Sequence, residues 1–155
     1  MGIEIERKFL VRDSSWKSQS SHNVYYRQGY INDAKACSIR VRVAKDKAHL
    51  NIKSATLGIH RHEYEYEIPL DEANEMLNSF SLGAVIEKTR FFVEHTGHTW
   101  EVDVFAGDNE GLVVAEIELS AEDEAFDLPS WAGDEVSDDP RYYNVCLVKH
   151  PYKDW

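Results

Sequence analysis

The chain has 155 residues, a length that suits one compact domain with a sizeable core, and we predict a single domain over residues 1–155. Lysine and arginine number 17 against 28 aspartate and glutamate residues, and the formal net charge of −11 argues against a nucleic acid held through broad phosphate contacts. A hydrophobic fraction of 43% excludes a disordered acidic tail, so the chain should fold.

Alternation of apolar and polar residues dominates the chain and predicts eight β-strands, because successive side chains of a strand point to opposite faces. In the first, Ile3 and Ile5 lie on one face and Glu4 and Glu6 on the other. The predicted strands span Ile3–Val11, Val24–Ile31, Cys37–Ala44, His49–Ser54, Arg61–Ile68, Val85–Val93, Thr99–Phe105 and Val113–Leu119. Turn-forming residues separate them, at Asn32-Asp33, Lys45-Asp46, Gly58, Gly97 and Gly107-Asp108.

Helical signals are few. Between the fifth and sixth strands, Pro69-Leu70-Asp71 followed by Glu72–Leu82 predicts a capped amphipathic helix. Its apolar face would carry Ala73, Met76, Leu77 and Phe80.

The remaining segments have weaker patterns. A short helix is predicted near Ser14–Ser20. The segment Glu122–Asp139 holds eight acidic residues and no basic residue, which predicts a solvated stretch, and Asp139-Pro140 then introduces a C-terminal helix through Val148.

The polar faces of the strands are unusually rich in charge, and the charges sort by sign. Like charges two residues apart on one strand face repel each other unless something lies between them. The charged faces carry Glu4, Glu6 and Lys8; Arg40 and Arg42; Lys53; Glu63 and Glu65; Lys88 and Arg90; Glu101 and Asp103; and Glu116 and Glu118.

Two architectures account for these faces. In a sandwich they would be the solvated outer faces of sheets whose other sides form the core. In a closed antiparallel barrel they would point inward around a wet lumen, and helices would cover the apolar outside. Carboxylate clusters would then hold divalent cations, while lysine and arginine clusters would bind a phosphate chain. Six basic side chains are more than one phosphate needs and suit a triphosphate.

A set of motifs in this order resembles the CYTH superfamily, the triphosphate tunnel metalloenzymes, and most closely its short bacterial inorganic triphosphatases. The motifs are Glu4-Ile5-Glu6-Arg7-Lys8, Arg40-Val41-Arg42, Ile52-Lys53-Ser54, Arg61-His62-Glu63-Tyr64-Glu65, Glu87-Lys88-Thr89-Arg90, Glu101-Val102-Asp103-Val104-Phe105 and Glu116-Ile117-Glu118. The resemblance implies an α+β, β-dominated fold, a closed eight-stranded antiparallel β-barrel with a few covering helices. It also implies enzymes that act on triphosphate groups with Mg²⁺ or Mn²⁺, here with two ions.

The resemblance also assigns roles to residues. The implied metal ligands are Glu4, Glu6, Asp103, Glu116 and Glu118. The implied substrate ligands are Lys8, Arg40, Arg42, Lys53, Lys88 and Arg90. The implied catalytic residues are Lys8, Tyr30, Glu63 and Glu65, of which the two glutamates would complete a second metal site or orient the attacking water, and Tyr30 would transfer a proton or position the nucleophile.

The expected function is metal-dependent hydrolysis of inorganic triphosphate to pyrophosphate and phosphate. Alternatives are a class IV adenylate cyclase that converts ATP to cyclic AMP, a thiamine triphosphatase or other nucleoside triphosphatase, and a module that binds polyphosphate without turnover. The partner is in each case a small molecule that carries a triphosphate, or a polyphosphate chain, and the sequence leaves monomer and homodimer open.

The expected location is the cytoplasm, with no membrane segment. The start Met-Gly-Ile-Glu-Ile-Glu-Arg-Lys is charged where a secretory signal would be apolar, and no apolar run of about 18 residues occurs. Cys37 and Cys146 lack the spacing of a zinc or redox motif, which favours reduced thiols.

Overall fold

The strands form one antiparallel sheet in a computed structural model, which describes residues 2–32, 34–55 and 59–155. The predicted turn residues Asp33 and Gly58 lie outside the described residues. The strands are β1 Gly2–Val11, β2 Ser20–Tyr30, β3 Cys37–Ala44, β4 Lys47–Ser54, β5 His60–Ile68, β6 Ile86–His95, β7 His98–Phe105, β8 Val113–Leu119 and β9 Ala132–Glu135.

The sheet closes on itself. Its strands follow the order β5-β4-β3-β2-β6-β7-β8-β1-β9, and β5 also pairs with β1, so that the first eight strands form a ring. Every pairing in the ring is antiparallel. The prediction of a closed eight-stranded antiparallel barrel is confirmed, and the sandwich is excluded.

The ninth strand was not predicted. On one edge of β1, β5 pairs with Gly2–Ile5, whereas β9 pairs with Phe9 and Val11 further along the same edge. The expectation that residues 122–139 are solvated throughout is therefore wrong. Trp131 drives the difference, because it is buried and packs edge-on against Trp100, with the ring centroids 5.6 Å apart.

The apolar outer faces of the strands are covered by the remaining elements. A 3₁₀ helix at Ser15–Gln19, close to the helix predicted there, buries Trp16 against Phe91 of β6. The helix α1, Leu70–Phe80, covers β3 and β4, and its Ala73 and Leu77 join the core formed by Val41, Val43 and Ala48. Burial of these faces supplies the main driving force for folding.

Helix α1 begins two residues before the predicted start. Pro69 occupies the N-cap and offers no side-chain acceptor, so the predicted side-chain cap is absent. Phe80, in the last turn, is 62% exposed and does not contribute to the buried face. The end of the helix lies close to β2 at Gly29, where a Cβ atom would come within 2.4 Å of Ser81 Oγ. A side chain at position 29 would force the side chains of Ser81 and Leu77 to shift.

The predicted C-terminal helix is broken into two pieces. A 3₁₀ turn at Pro140–Tyr142 is followed by α2, Asn144–Leu147, with Tyr143 extended between them. The break has a structural use, because the Tyr143 hydroxyl donates to the carbonyl of Ser137 at 2.7 Å, and the Tyr142 carbonyl accepts from Lys8 Nζ at 3.2 Å. A continuous helix would engage the Tyr142 carbonyl internally.

Two further expectations from the sequence concern the cysteines and membrane-spanning helices. Cys37 and Cys146 are free thiols. Within the described part of the chain, neither α-helix has the length and apolar character needed to cross a bilayer.

The attachment of β9 depends on a paired arginine and glutamate, which gives a prediction about pH. Arg7 Nε and Nη2 donate to Glu135 Oε2 and Oε1 at 2.9 and 2.6 Å, and the hydrogen bond lowers the pKa of Glu135 below its usual value. A lowered carboxyl pKa stabilises the fold at neutral pH, and this contribution is lost as the pH falls through the folded-state value. Glu135→Gln should therefore reduce the free energy of unfolding by less than about 1 kcal/mol at pH 7 and by less still at pH 3.

Urea unfolding at the two pH values measures this difference. Glu75→Gln, an exposed position on α1, is the matched control and should show no pH-dependent loss. An equal loss for Glu135→Gln at both pH values would show that the ion pair does not contribute.

Candidate active site

The inward-facing side chains of the barrel surround a cavity of about 140 Å³, open to solvent in part, which we call the tunnel cavity. Its lining is almost entirely charged or polar. The lining residues are Glu4, Glu6, Lys8, Tyr30, Ser38, Arg40, Arg42, Lys53, Arg61, Glu63, Lys88, Arg90, Glu101, Glu116, Glu118, Tyr143, Asn144 and Val145.

Most of the residues proposed from the sequence come together here. All six predicted substrate ligands line the tunnel cavity, as do Tyr30, Glu63 and four of the five predicted metal ligands. Asp103 and Glu65 are not among the lining residues. The period-two pattern therefore placed the charged faces on the correct side of the sheet.

Asp103 is fully buried behind the lining, between two cations. Its Oδ2 accepts hydrogen bonds from Lys88 Nζ at 2.7 Å and Arg90 Nη2 at 2.9 Å, and its Oδ1 accepts from Arg90 Nε at 2.7 Å. Burial alone would raise the pKa of Asp103, but the charges and hydrogen bonds of Arg90 and Lys88 hold it well below its usual value. Asp103 is thus the shared counterion of Lys88 and Arg90.

Glu65 is exposed, and its Oε2 accepts from Asn51 Nδ2 at 2.7 Å. Glu63, two residues earlier on β5, turns into the cavity, where its Oε2 lies 3.2 Å from Lys53 Nζ. The same ammonium group lies 3.2 Å from Glu4 Oε2. The two glutamates of β5 therefore have different environments, and Glu63 alone of the pair faces the cavity.

One side of the cavity, formed by β1, β7 and β8, carries carboxylates in register, and we call it the carboxylate wall. Glu6 lies opposite Glu118, and Glu101 lies opposite Glu116. Burial raises the pKa of Glu101 to about 7, assisted by the carboxylates of Glu116, Asp103 and Glu6 and opposed by Arg90. At neutral pH the Glu101 carboxyl is therefore close to the midpoint of its titration, although Arg90 favours its charged form.

The carboxylates already contact internal cations. Glu116 Oε1 lies 3.5 Å from Lys8 Nζ, and its Oε2 lies 3.3 Å from Arg90 Nη2. Arg90 also pairs with Glu101. Over residues 2–32, 34–55 and 59–155, no three histidine, cysteine, aspartate or glutamate side chains converge on one metal position.

The opposite side of the cavity, which we call the arginine wall, consists of Arg40 and Arg42 on β3. Arg40 is 7% exposed, and its Nε has no hydrogen-bond partner within the described residues. Arg42 donates from Nε to Gln28 Oε1 at 2.9 Å and stacks on Tyr26 at 4.4 Å. Burial and the neighbouring charges of Arg40 and Arg90 lower the pKa of Arg42 to about 9. A partly buried cation with a lowered pKa, beside a second cation, favours the binding of an anion.

Lys8 and Lys88 differ in charge balance although both are buried. Burial lowers the pKa of Lys88 to about 7, opposed by Asp103 and assisted by Arg90 and Arg42. For Lys8, burial also acts to lower the pKa, but Glu116 and Glu6 raise it above its usual value. Lys8 therefore stays charged at neutral pH, as a ligand for an anion.

Several lining residues were not assigned from the sequence. Arg61 shares the inward face with Glu63, and the same period-two argument could have found it. Asn144 comes from α2, and its Oδ1 accepts from Gln28 Nε2 at 2.9 Å and Lys88 Nζ at 3.1 Å. No strand periodicity extends to Tyr143 and Asn144, so only the folded chain reveals them.

Comparison with known proteins is consistent across sequence and structure. A model of the CYTH domain family matches residues 2–143. The chain is 54% identical to an inorganic triphosphatase of Acetivibrio thermocellus, over all of this chain and 99% of that protein. It is 38% identical to an inorganic triphosphatase of Nitrosomonas europaea, over 94% of this chain and 96% of that one. A crystal structure of an inorganic triphosphatase matches with a TM-score of 0.68 at 36% identity, covering 94% of this chain and 93% of the other.

The position of Asp103 predicts a large effect on stability. Asp103→Ala leaves Lys88 and Arg90 buried without their shared counterion, and removal of one member of a buried ion pair costs about 3–5 kcal/mol. We expect this loss in the free energy of unfolding measured with urea. Glu118→Gln, at the exposed end of the carboxylate wall, should change it by no more than about 0.5 kcal/mol. Similar small losses for both variants would contradict the assignment of Asp103 as a structural counterion.

Proposed function

The chain belongs to the CYTH domain family, and from this membership and the charges of the tunnel cavity we propose that it is a triphosphatase that hydrolyses inorganic triphosphate to pyrophosphate and phosphate. The observation that carries the proposal is the opposition of an arginine wall, whose two side chains have no carboxylate partner in the described part of the chain, to a wall of carboxylates. The first calls for an anion and the second for a cation.

The substrate is a short polyanion. The cavity is lined by seven lysine and arginine side chains, and it is enclosed by the barrel, so it suits a compact chain of phosphates. A protein with a net charge of −11 gives no support to an extended nucleic-acid backbone on its surface. Arginine donates in a bidentate fork to phosphate oxygens, and lysine acts as a point charge.

The basic residues have two roles in this proposal. Most bind the phosphate chain, and Lys88 also changes its protonation when the chain binds. Arg40 and Arg42 have donors to spare, so they are the first ligands for the phosphate chain. Lys8 and Lys53 reach the cavity from β1 and β4. An anion bound beside Lys88 would raise its pKa from about 7, so substrate binding would complete the protonation of this residue.

The carboxylate wall fits a divalent cation. Its donors are oxygens only, the choice of Mg²⁺ and Mn²⁺. Burial, assisted by neighbouring carboxylates, raises the pKa of Glu101, and a bound cation would offset both effects. We propose that Glu6, Glu116 and Glu118 hold such an ion. Glu4 and Glu63 offer further oxygens for a second one. A bound ion neutralises charge on the phosphates and polarises the phosphoryl oxygens.

Asp103 has a different role in this proposal. Both of its oxygens accept hydrogen bonds from Lys88 and Arg90, so it orients these two cations toward the substrate. Asp103 thus acts on the phosphate chain through Lys88 and Arg90. This role explains why Asp103, although it belongs to a motif of the family, lies behind the lining of the cavity.

The attacking water needs a proton acceptor within the cavity. Glu63 faces the cavity and Glu65 does not, so Glu63 is the better placed of the two to accept the proton. Tyr30, which lines the cavity and lies opposite Arg40 in the β2–β3 register, would help to position the water or the phosphate it attacks. In-line attack on a terminal phosphorus then releases phosphate and pyrophosphate.

The proposal predicts metal-dependent release of phosphate. With triphosphate as substrate, Mg²⁺ or Mn²⁺ should support turnover and excess EDTA should abolish it. Glu6→Gln and Glu116→Gln remove carboxylate oxygens from the proposed ion, and each should lower kcat/KM by at least about 100-fold, the scale of a lost electrostatic contact in the transition state. Malachite-green detection of phosphate measures both effects.

The matched control is Glu75→Gln, the same chemical change on the outside of the barrel, which should keep full activity. Turnover that persists in EDTA, or full activity of Glu6→Gln, would overturn the proposed metal dependence.

Phosphorus NMR of a panel of triphosphate, ATP and thiamine triphosphate identifies the substrate, and cyclic AMP as the main product from ATP would overturn the assignment as a hydrolase.

A further inference from the structure

Two amide side chains connect Arg42 of the arginine wall with Lys88. Arg42 Nε donates to Gln28 Oε1 at 2.9 Å, and Gln28 Nε2 donates to Asn144 Oδ1 at 2.9 Å. Lys88 Nζ donates to the same Asn144 oxygen at 3.1 Å. Gln28 is fully buried, whereas Asn144 is half-buried and lines the tunnel cavity. Two cations of the cavity are thus linked through uncharged groups.

The cations at the two ends fix the orientation of both amides. Arginine and lysine side chains can only donate hydrogen bonds. Arg42 therefore requires the oxygen of Gln28, which leaves Gln28 Nε2 to donate to Asn144. Lys88 likewise requires the oxygen of Asn144, and this oxygen accepts both hydrogen bonds. A flip of either amide would place donors against each other.

This orientation leaves the nitrogen of Asn144 for the tunnel cavity. Asn144 Nδ2 makes no hydrogen bond within the described residues, and it is not one of the buried polar atoms that lack a partner. Because Asn144 lines the cavity, its two N–H donors are accessible to a molecule bound there. Phosphate oxygens are acceptors, so the amide nitrogen and the neighbouring Lys88 offer them donors only.

The C-terminal segment holds Asn144 in place. The Tyr142 carbonyl accepts from Lys8 Nζ at 3.2 Å, and Leu147 packs in the same buried cluster as Ile86. A donor that is fixed before its ligand arrives loses little conformational freedom on binding. Asn144 directly follows residues 2–143, which match the CYTH domain family, so the family match assigns it no role.

A neutral donor suits this position. Arg42 and Arg90 already help to lower the pKa of Lys88, and another lysine or arginine here would lower it further. An amide donates to phosphate without adding to this repulsion.

We propose that Asn144 is a substrate-contact residue, whose Nδ2 donates a hydrogen bond to a phosphate oxygen of triphosphate beside Lys88. The inference rests on the proposed function and deepens it, because it adds a neutral donor from the C-terminal segment to the basic residues of the barrel. Gln28 is the positioning residue that holds the Asn144 amide in the donating orientation.

Substitutions at position 144 distinguish substrate contact from support of Lys88. Asn144→Asp keeps an oxygen for Gln28 and Lys88 and adds a favourable charge beside Lys88, but it replaces the amide nitrogen with a second carboxylate oxygen. Asn144→Ala removes both atoms. If Asn144 only supports Lys88, Asn144→Asp should bind substrate better than Asn144→Ala. If the nitrogen contacts phosphate, Asn144→Asp should bind worse, because like charges then face each other.

Isothermal titration calorimetry with diimidotriphosphate and Mg²⁺ measures binding without turnover, because this triphosphate analogue has NH groups in place of its bridging oxygens and resists hydrolysis. We expect Asn144→Ala to raise the Kd about tenfold, the scale of one hydrogen bond to a charged group. Asn144→Asp should raise the Kd further than Asn144→Ala does. The matched control Asn23→Asp makes the same change at an exposed position of β2 and should stay within about twofold of wild type.

Two further measurements separate contact from stability. The Tm of Asn144→Asp without ligand should equal or exceed that of wild type, since its carboxylate gives Lys88 a second counterion. In ¹H–¹⁵N NMR spectra of the wild-type chain, the side-chain amide of Asn144 is assigned by its absence from the Asn144→Asp spectrum. Addition of diimidotriphosphate and Mg²⁺ should shift one of its two protons strongly downfield, as a new hydrogen bond requires.

The outcomes are distinguishable from failure of the proposed function. If the wild-type chain binds triphosphate without hydrolysing it, the proposed function fails and the binding data still test Asn144. Absence of binding by the wild-type chain would overturn both. Unchanged amide protons, an Asn144→Ala affinity within twofold of wild type, or tighter binding by Asn144→Asp than by Asn144→Ala would overturn the inference alone.

Discussion

The charges inside a closed barrel have to be balanced within it, and the most deeply buried of these contacts joins Asp103 to Lys88 and Arg90. Three buried charged groups share five hydrogen-bonding atoms in a space that water does not enter freely. Since the polar faces point inward, the apolar faces point outward, and each needs a cover. The helix α1, the 3₁₀ helix around Trp16 and the segment around Trp131 supply these covers. The outer architecture of the molecule thus follows from the charged interior.

The cations of the tunnel fall into two groups with different purposes. Lys8, Lys88 and Arg90 have carboxylate partners, whereas Arg40 and Arg42 have none within the described residues. These pairs also help to explain why no set of metal ligands is assembled among those residues, because Glu4, Glu101 and Glu116 turn toward cations. When a phosphate chain binds with its ions, the phosphates would replace carboxylates as partners of the lysine and arginine side chains, and the ions would replace these side chains as partners of the carboxylates. Binding would thus replace internal contacts and leave the charge balance of the interior little changed.

Much of the fold was predictable because its main signal is local. In a strand, the alternation of apolar and polar residues indicates which side chains share a face. Cys37–Ala44 and Val113–Leu119 were predicted with their observed bounds. The ninth strand was missed because Ala132–Glu135 is short and lies in an acidic stretch, and only Trp131 hinted at burial. Tyr143 and Asn144 reach the cavity through a break in a helix that the sequence pattern favours as continuous. Arg61 was within reach of the pattern, since it shares the phase of Glu63. The roles of Asp103 and Glu65 depend on side-chain contacts that no spacing reveals.

The shared edge of β1 has a consequence for how the chain reaches its native state. Strand β1 pairs with β8 and β9, and the Arg7–Glu135 contact joins residues 128 positions apart. Contacts at such separation form late and slow folding. A nascent chain therefore carries an incomplete ring, with Glu6 and Lys8 on an open edge, until β8 is made. We expect the cavity to assemble only once β8 is available, and the charges along β1 oppose non-native pairing of its open edge before then.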